Sequence, residues 1–142
     1  DLASIDVDAV VAAWPTWDEL EADIRSKLTG ALAEKGVRET REKYVDADGL
    51  RVRVQTLVDD WPSLRPRLEA QLVPAATLQR SLAAAGTPTH PEQIGLTLAD
   101  LKATFPRAMY YRSRYTVLDV SREIGWFAEL VDEVFAPGGL WT

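Results

Sequence analysis

The 142-residue chain has no cysteine and one histidine. Without cysteine there can be no disulfide and no thiolate metal site. With one histidine, the paired-histidine zinc motif on a helix cannot be formed. That residue, His90, stands between Thr89 and Pro91 and reads as a solvated loop side chain, not a metal ligand. Phosphate-cradling glycine loops are missing too: neither G-x-x-x-x-G-K nor G-x-G-x-x-G occurs, and the adjacent glycines are Gly138 and Gly139. Basic residues are in the minority, 16 against 22 acidic ones, for a formal net charge of −6. An acidic chain has no general electrostatic footprint for nucleic acid or an anionic membrane surface, so neither is an expected partner. No apolar run approaches the roughly 20 residues that a bilayer span needs. No basic-then-apolar start reads as a signal peptide, so the expected location is the cytoplasm. The chain begins at Asp1 without a methionine, which fits processing or excision from a longer protein.

What is present is ordinary for a globular protein: 46% hydrophobic and 27% charged residues. The length suits one domain with a real core, and no internal repeat or low-complexity linker divides it. A single all-helical domain over residues 1–142 is expected. Ser4 or Asp6 can cap a first helix that runs to Trp14 and stops at Pro15. Thr16 and Glu19 have the spacing of a capping box. Behind them Trp17, Leu20, Ile24 and Leu28 recur at helical spacing, with Gly30 as the stop. A charged helix is expected from Leu32 to Tyr44. The Asp46-Ala47-Asp48-Gly49 stretch reads as a turn. It is no EF-hand: with Gly49 at loop position six, positions one and twelve would be Tyr44 and Gln55, and neither is a carboxylate.

Leu50, Val54, Leu57, Val58 and Trp61 fit a helical stripe better than the alternation of a strand. Pro62 is expected to open a separate helix over 62–72, and Pro74 another that ends at Gly86. TPTHPEQIG is a loop. Thr97 starts a further helix, which Pro106 must bend or break. A last helix, begun by Ser113 or Thr116, carries Val117, Val120, Ile124, Phe127, Val131 and Val134 on one face and ends at Ala136-Pro137-Gly138-Gly139.

Few residues suggest chemistry. The neighbouring carboxylates Asp59-Asp60 and Asp132-Glu133 fall in helical stretches, where solvated faces are the usual outcome. His90 in its proline-bracketed loop offers no nucleophile a local base. Arg107, Arg112 and Arg114 lie near Tyr110, Tyr111 and Tyr115. Arginines among aromatics can hold a phosphate or stack on a base. Alternatively, Arg112 and Arg114 pair with acidic helices while half-buried tyrosines keep wet hydroxyls.

Three longer stretches carry a family resemblance: AAWPTWDELEADIRSKLTG followed by ETREKY; LVDDWPSLRPRLEAQLVPAATLQRSLAAAGTPTHPEQIGL; and RAMYYRSRYTVLDVSREIGW, which opens the last helix with R-x-R-Y-T-x-L-D. In this order they span nearly the whole chain, and the third is the most specific. Together they resemble the C-terminal part of bacterial glycerol-1-phosphate dehydrogenases, within the iron- or zinc-dependent polyol dehydrogenase superfamily. The resemblance implies an all-α bundle belonging to a two-domain enzyme, α/β plus all-α. That enzyme uses NAD(P) and a divalent metal held by one Asp and two His, and transfers hydride between glycerol 1-phosphate and dihydroxyacetone phosphate.

The matched stretches look like the region beyond the last metal-binding histidine. One histidine cannot supply the two-histidine site, so no catalytic, metal or cofactor residue carries over to this chain. By itself it is expected to bind neither metal nor NAD(P) and to be inactive. Its implied partner is the N-terminal dinucleotide-binding and metal-bearing region. Walling the substrate cleft and making subunit contacts are its expected roles, and the clustering of Arg112 and Arg114 in an acidic chain whose implied substrate is anionic points to them as the residues facing the substrate phosphate. Exposed apolar residues, among them Trp14, Trp17, Trp126 and Trp141, would favour homo-oligomers. A free-standing helical interaction module is the alternative, and an anion-binding domain around Arg107, Arg112 and Arg114 is a third.

Overall fold

The computed structural model describes residues 2–141, and within them every regular element is helical. In chain order these are α1 (Val7–Ala12), α2 (Trp17–Lys27), α3 (Gly30–Arg41), α4 (Ala47–Gln71), α5 (Ala75–Ala84), α6 (Leu98–Ala108), α7 (Val117–Glu123) and α8 (Phe127–Phe135). Short 3-10 turns lie at Leu2–Ser4 and Pro91–Ile94. No described helix is long and apolar enough to cross a membrane.

Local chemistry explains most helix starts. A side-chain oxygen there accepts one of the backbone N–H groups that a helix leaves unpaired. Asp6 accepts from Ala9 N at 3.0 Å and Asp46 from Gly49 N at 2.9 Å. Reciprocal capping boxes join Thr16 with Glu19, Thr97 with Asp100 and Thr116 with Asp119. The 46–49 stretch is therefore the first turn of α4, not a free turn: Asp46 caps it and Ala47–Gly49 are already helical.

Three more boundaries differ from expectation. Gly30 does not end α2, which stops at Lys27; it opens α3 instead, with φ +55°. Pro62 opens no new helix, because α4 runs unbroken through Pro62 and Pro66 to Gln71. Both prolines are exposed, so water can satisfy the carbonyl that each leaves without a donor. Pro106 likewise sits inside α6 without ending it.

The expected last helix is two. Gly125, at φ +78°, takes the left-handed conformation that closes α7. Trp126 N then donates back to Ser121 O at 2.8 Å, the closure that redirects the chain into α8.

Two apolar clusters hold the fold. Leu20, Ile24 and Leu28 of the α2 stripe meet Ala33 on α3 and Met109–Tyr110 after α6. Trp17, Val37, Tyr44, Leu118 and Phe127 pack around them. The second cluster joins Leu2, Leu50, Val54 and Ile124, with Val10, Trp14, Leu57, Trp61 and Val120 beside them. Leu20, Ile24, Leu50 and Val54 are essentially sealed from solvent, so the α2 and α4 stripes read from the sequence do face the core. The stripe expected on the last helix holds only in part: Val117 is 76% exposed, while Asp119, Ser121 and Glu123 are buried in ion pairs and helix-end bonds.

Burial is lopsided. Between residues 55 and 108 only Pro91 is buried. α5 packs extensively on no other helix, and Leu72, Val73, Leu78, Leu82 and Ile94 are exposed. The tryptophans expected at the surface are half-buried instead. Trp14 donates its indole N–H to Val45 O at 2.8 Å and stacks on Tyr44, while Trp17 meets Tyr44 edge-on. A ring with one polar tip gains most where its body is covered and its N–H has a partner.

Candidate functional site

The R-x-R-Y-T-x-L-D segment is where the two halves of the chain meet, and most of its polar residues are used there. Met109 and Tyr110 leave α6 and enter the first core cluster. The Tyr110 hydroxyl donates to Asp23 Oδ2 at 2.6 Å, and Asp23 is also paired with Lys27. Burial pushes the Tyr110 phenol well above the usual tyrosine range. Burial works against the Asp23 carboxylate, but hydrogen bonds from Lys27 and Tyr110 outweigh it and hold its pKa below the ordinary value.

Thr116 and Asp119 form the box that starts α7, and Asp119 then turns its other oxygen inward. Its Oδ1 lies 2.6 Å from Lys43 Nζ, and both side chains are about nine-tenths buried. Lys43 Nζ also donates to Met109 O at 2.5 Å. One turn on, Glu123 accepts from both Arg53 and the Tyr115 hydroxyl. Burial raises the Glu123 carboxyl above its normal range, against the opposing pull of Tyr115 and Arg53. Arg122 lies between two rings, its guanidinium 5.3 Å from Trp14 and 5.7 Å from Tyr110.

Thr40, Lys43, Tyr115, Asp119, Arg122 and Glu123 line a cavity of about 20 Å³, into which Thr40 Oγ1 brings a buried hydroxyl with no protein partner. That is room for a single water. A cavity of this size takes no substrate, and its charges are engaged: Lys43 with Asp119, Glu123 with Arg53, and Arg122 against the Trp14 and Tyr110 rings. Its chemistry is adhesion: α7 is fastened to the end of α3 and to α4 through Lys43–Asp119 and Arg53–Glu123. Sequence reading missed Lys43, Arg53, Asp119 and Glu123. No local signal marked them, since in α7 Val117 is exposed while Asp119 and Glu123 are buried.

The two arginines expected at a substrate phosphate do not line this cavity. Arg112 and Arg114 are both exposed, on the stretch between α6 and α7. Among the described residues neither pairs with a carboxylate, contrary to the ion-pair alternative; Arg112 instead lies 6.0 Å from the Tyr111 ring centroid. Nor are the tyrosines uniformly wet: Tyr110 and Tyr115 donate to carboxylates, and only Tyr111 of the three lacks such a bond. Arg107 is exposed in the last turn of α6.

Among the described residues no three His, Cys, Asp or Glu side chains converge as a metal site. His90 is structural: its Nδ1 accepts from Glu92 N at 3.4 Å and its Nε2 lies 3.3 Å from Trp141 O, so the ring caps the Pro91–Ile94 turn. The donor set does not fit the two-histidine metal centre that the family resemblance implies for a whole enzyme. Comparison with protein-family models, curated proteins and solved structures gives no match.

Proposed function

We propose that this chain is the helical, substrate-side region of a metal-dependent, NAD(P)-linked glycerol-1-phosphate dehydrogenase. The observation that carries the reading is the lopsided burial. From residue 55 to 108 the chain is mostly helix, yet only Pro91 is buried, and leucines and valines on and around α5 face outward. Helices with so little core of their own are suited to covering another region of protein. The ordered R-x-R-Y-T-x-L-D resemblance names that region: the dinucleotide-binding and metal-bearing part of a polyol-phosphate dehydrogenase.

In this reading the metal ligands and the cofactor site belong to that other part, and no reaction step passes through residues of this chain. Its work is to wall the cleft, make subunit contacts and present Arg112 and Arg114 to the substrate phosphate. Alone it is inactive, and its exposed leucines favour self-association. One observation favours a free-standing interaction module instead: an apolar groove of about 190 Å³ lined by Leu78, Leu82, Pro88, Leu140 and Trp141.

An antibody against this chain, used on lysate of the source organism, separates the two. A product of roughly two to three times the chain's mass fits a two-domain enzyme. Purified, that product should oxidise NAD(P)H with dihydroxyacetone phosphate when a divalent metal is supplied. A product near 15.8 kDa, or a longer one without turnover, would reject the dehydrogenase reading.

A further inference from the structure

The stretch after α6 crosses α3 at Gly36. A methyl group at Gly36 would stand 3.5 Å from Tyr110 O, which shows how closely the crossing backbone runs. Just beyond, Ser113 N donates to Glu39 Oε2 at 2.9 Å. The crossing brings together cations that are far apart in sequence. Lys35 Nζ sits 4.1 Å from the centroid of the Tyr111 ring, and Arg112 Cζ lies 6.0 Å from the same centroid. Arg38 follows one turn after Lys35 on α3, and Arg114 follows two residues after Arg112.

The acidic side of this crossing is already occupied. Glu39 is taken by the Ser113 N–H and lies 3.8 Å from Arg38. Glu34, beside Lys35, is held by Arg25 at 2.6 Å. Among the described residues, Lys35, Arg112 and Arg114 have no carboxylate partner, and the exposed Tyr111 hydroxyl makes no hydrogen bond. A chain of net charge −6 thus places a cluster of uncompensated cations around one exposed phenol. A face of an aromatic ring attracts cations and keeps them in place. An ammonium, a guanidinium and a phenol together match the oxygens of a phosphate group, the guanidinium by paired N–H donors and the ammonium as a point charge.

We propose that the Lys35–Tyr111–Arg112 crossing is a binding site for the phosphate group of a small phosphomonoester, with Arg114 as an outer contact. It deepens the function proposed above and rests on that reading for what the phosphate is attached to. The site adds a residue from α3, Lys35, that the arginine cluster alone does not indicate. The strongly acidic remainder of the chain disfavours a long polyanion, so a single phosphate group is the expected ligand.

The test is a titration of the ¹⁵N-labelled chain with inorganic phosphate, followed by amide chemical shifts, with sodium chloride adjusted to hold ionic strength constant. Saturable shifts should concentrate at residues 35–38 and 111–114. Lys35→Gln and Arg112→Gln should each weaken binding roughly threefold to tenfold, as loss of one exposed charge contact does. Arg65→Gln, remote on α4 and paired with Glu69, should leave it unchanged.

Shifts that do not saturate, that spread over all exposed basic residues, or whose midpoint is unchanged by Lys35→Gln would overturn the site. So would a single-stranded oligonucleotide that binds this face more tightly with each added nucleotide. Dehydrogenase turnover by the longer natural product is measured separately. The phosphate site can thus fail while the enzyme reading stands, and the reverse.

Discussion

Replacing Lys43 with methionine tests whether the buried ion pairs hold the two halves of the chain together. Lys43 is 8% exposed and Asp119 10%, at 2.6 Å. The substitution keeps most of the side-chain volume and removes the charge. It leaves an ionised Asp119 with only Thr116 as donor, at 2.8 Å from its N and 2.9 Å from its Oγ1. It also strips Met109 O of the Lys43 donor.

Removing one partner of a buried pair typically costs about 3–5 kcal/mol, and the surviving Thr116 bonds place this case near 3 kcal/mol. For a domain of this size that is a drop in Tm of roughly 10 °C. Asp119→Asn removes the opposite charge while retaining an oxygen for the Thr116 cap. The double variant, with no unpaired charge, should therefore be more stable than the sum of the two losses implies, by at least about 1 kcal/mol. Urea unfolding followed by tryptophan fluorescence supplies all four free energies. A loss under about 1 kcal/mol for Lys43→Met, or strict additivity in the double variant, would show that the pair is solvated and the reasoning wrong.

Two further outcomes follow from the same geometry. Glu123 has a raised folded pKa, chiefly from burial, so the folded state holds its proton more tightly than the unfolded state does. Its contribution to stability therefore grows as pH falls through the folded pKa toward the ordinary carboxyl value, and above that window the ionised group is a standing cost. Glu123→Gln should remove this dependence, so that wild type gains on the variant as pH is lowered; parallel stability curves from pH 7 to about 4 would contradict it. Gly36→Ala should destabilise, by about 1 kcal/mol, although alanine is the better helix former. The new methyl would meet Leu28 Cδ1 at 2.8 Å and Ile24 Cγ2 at 3.2 Å in the closed core. A rise in Tm would show that the core yields more readily than its packing implies.

How much could be read in advance depended on the range of the interaction. The Thr16–Glu19 box, the Trp17–Leu28 stripe and the Leu50–Trp61 stripe lie within a few turns of sequence, and all appear in the structure. Gly36 is the reverse case: local rules disfavour a glycine inside a helix, and only the Leu28 and Ile24 side chains packed against it explain its place. The charged residues that join the halves were not legible. Arg53 and Glu123 are 70 positions apart, and nothing in either neighbourhood marks them as partners. The same holds for Lys35 and Tyr111.

By itself, the sequence determined an all-helical chain, the positions of most helix starts and the core faces of α2 and α4. These follow from side-chain caps and from the 3.6-residue period, which act over a few residues. Only the tertiary structure decided that α4 passes through two prolines, that Gly125 divides the last helix, and which charges are buried together. Those outcomes depend on what stands opposite each residue after the chain has folded back: exposure at Pro62 and Pro66, the turn into α8, and the meeting of α7 with α3 and α4. Arg112 and Arg114 show the division most clearly. The sequence marked them as a cluster, while the fold left them at the surface and set Lys35 on the Tyr111 ring that Arg112 also approaches.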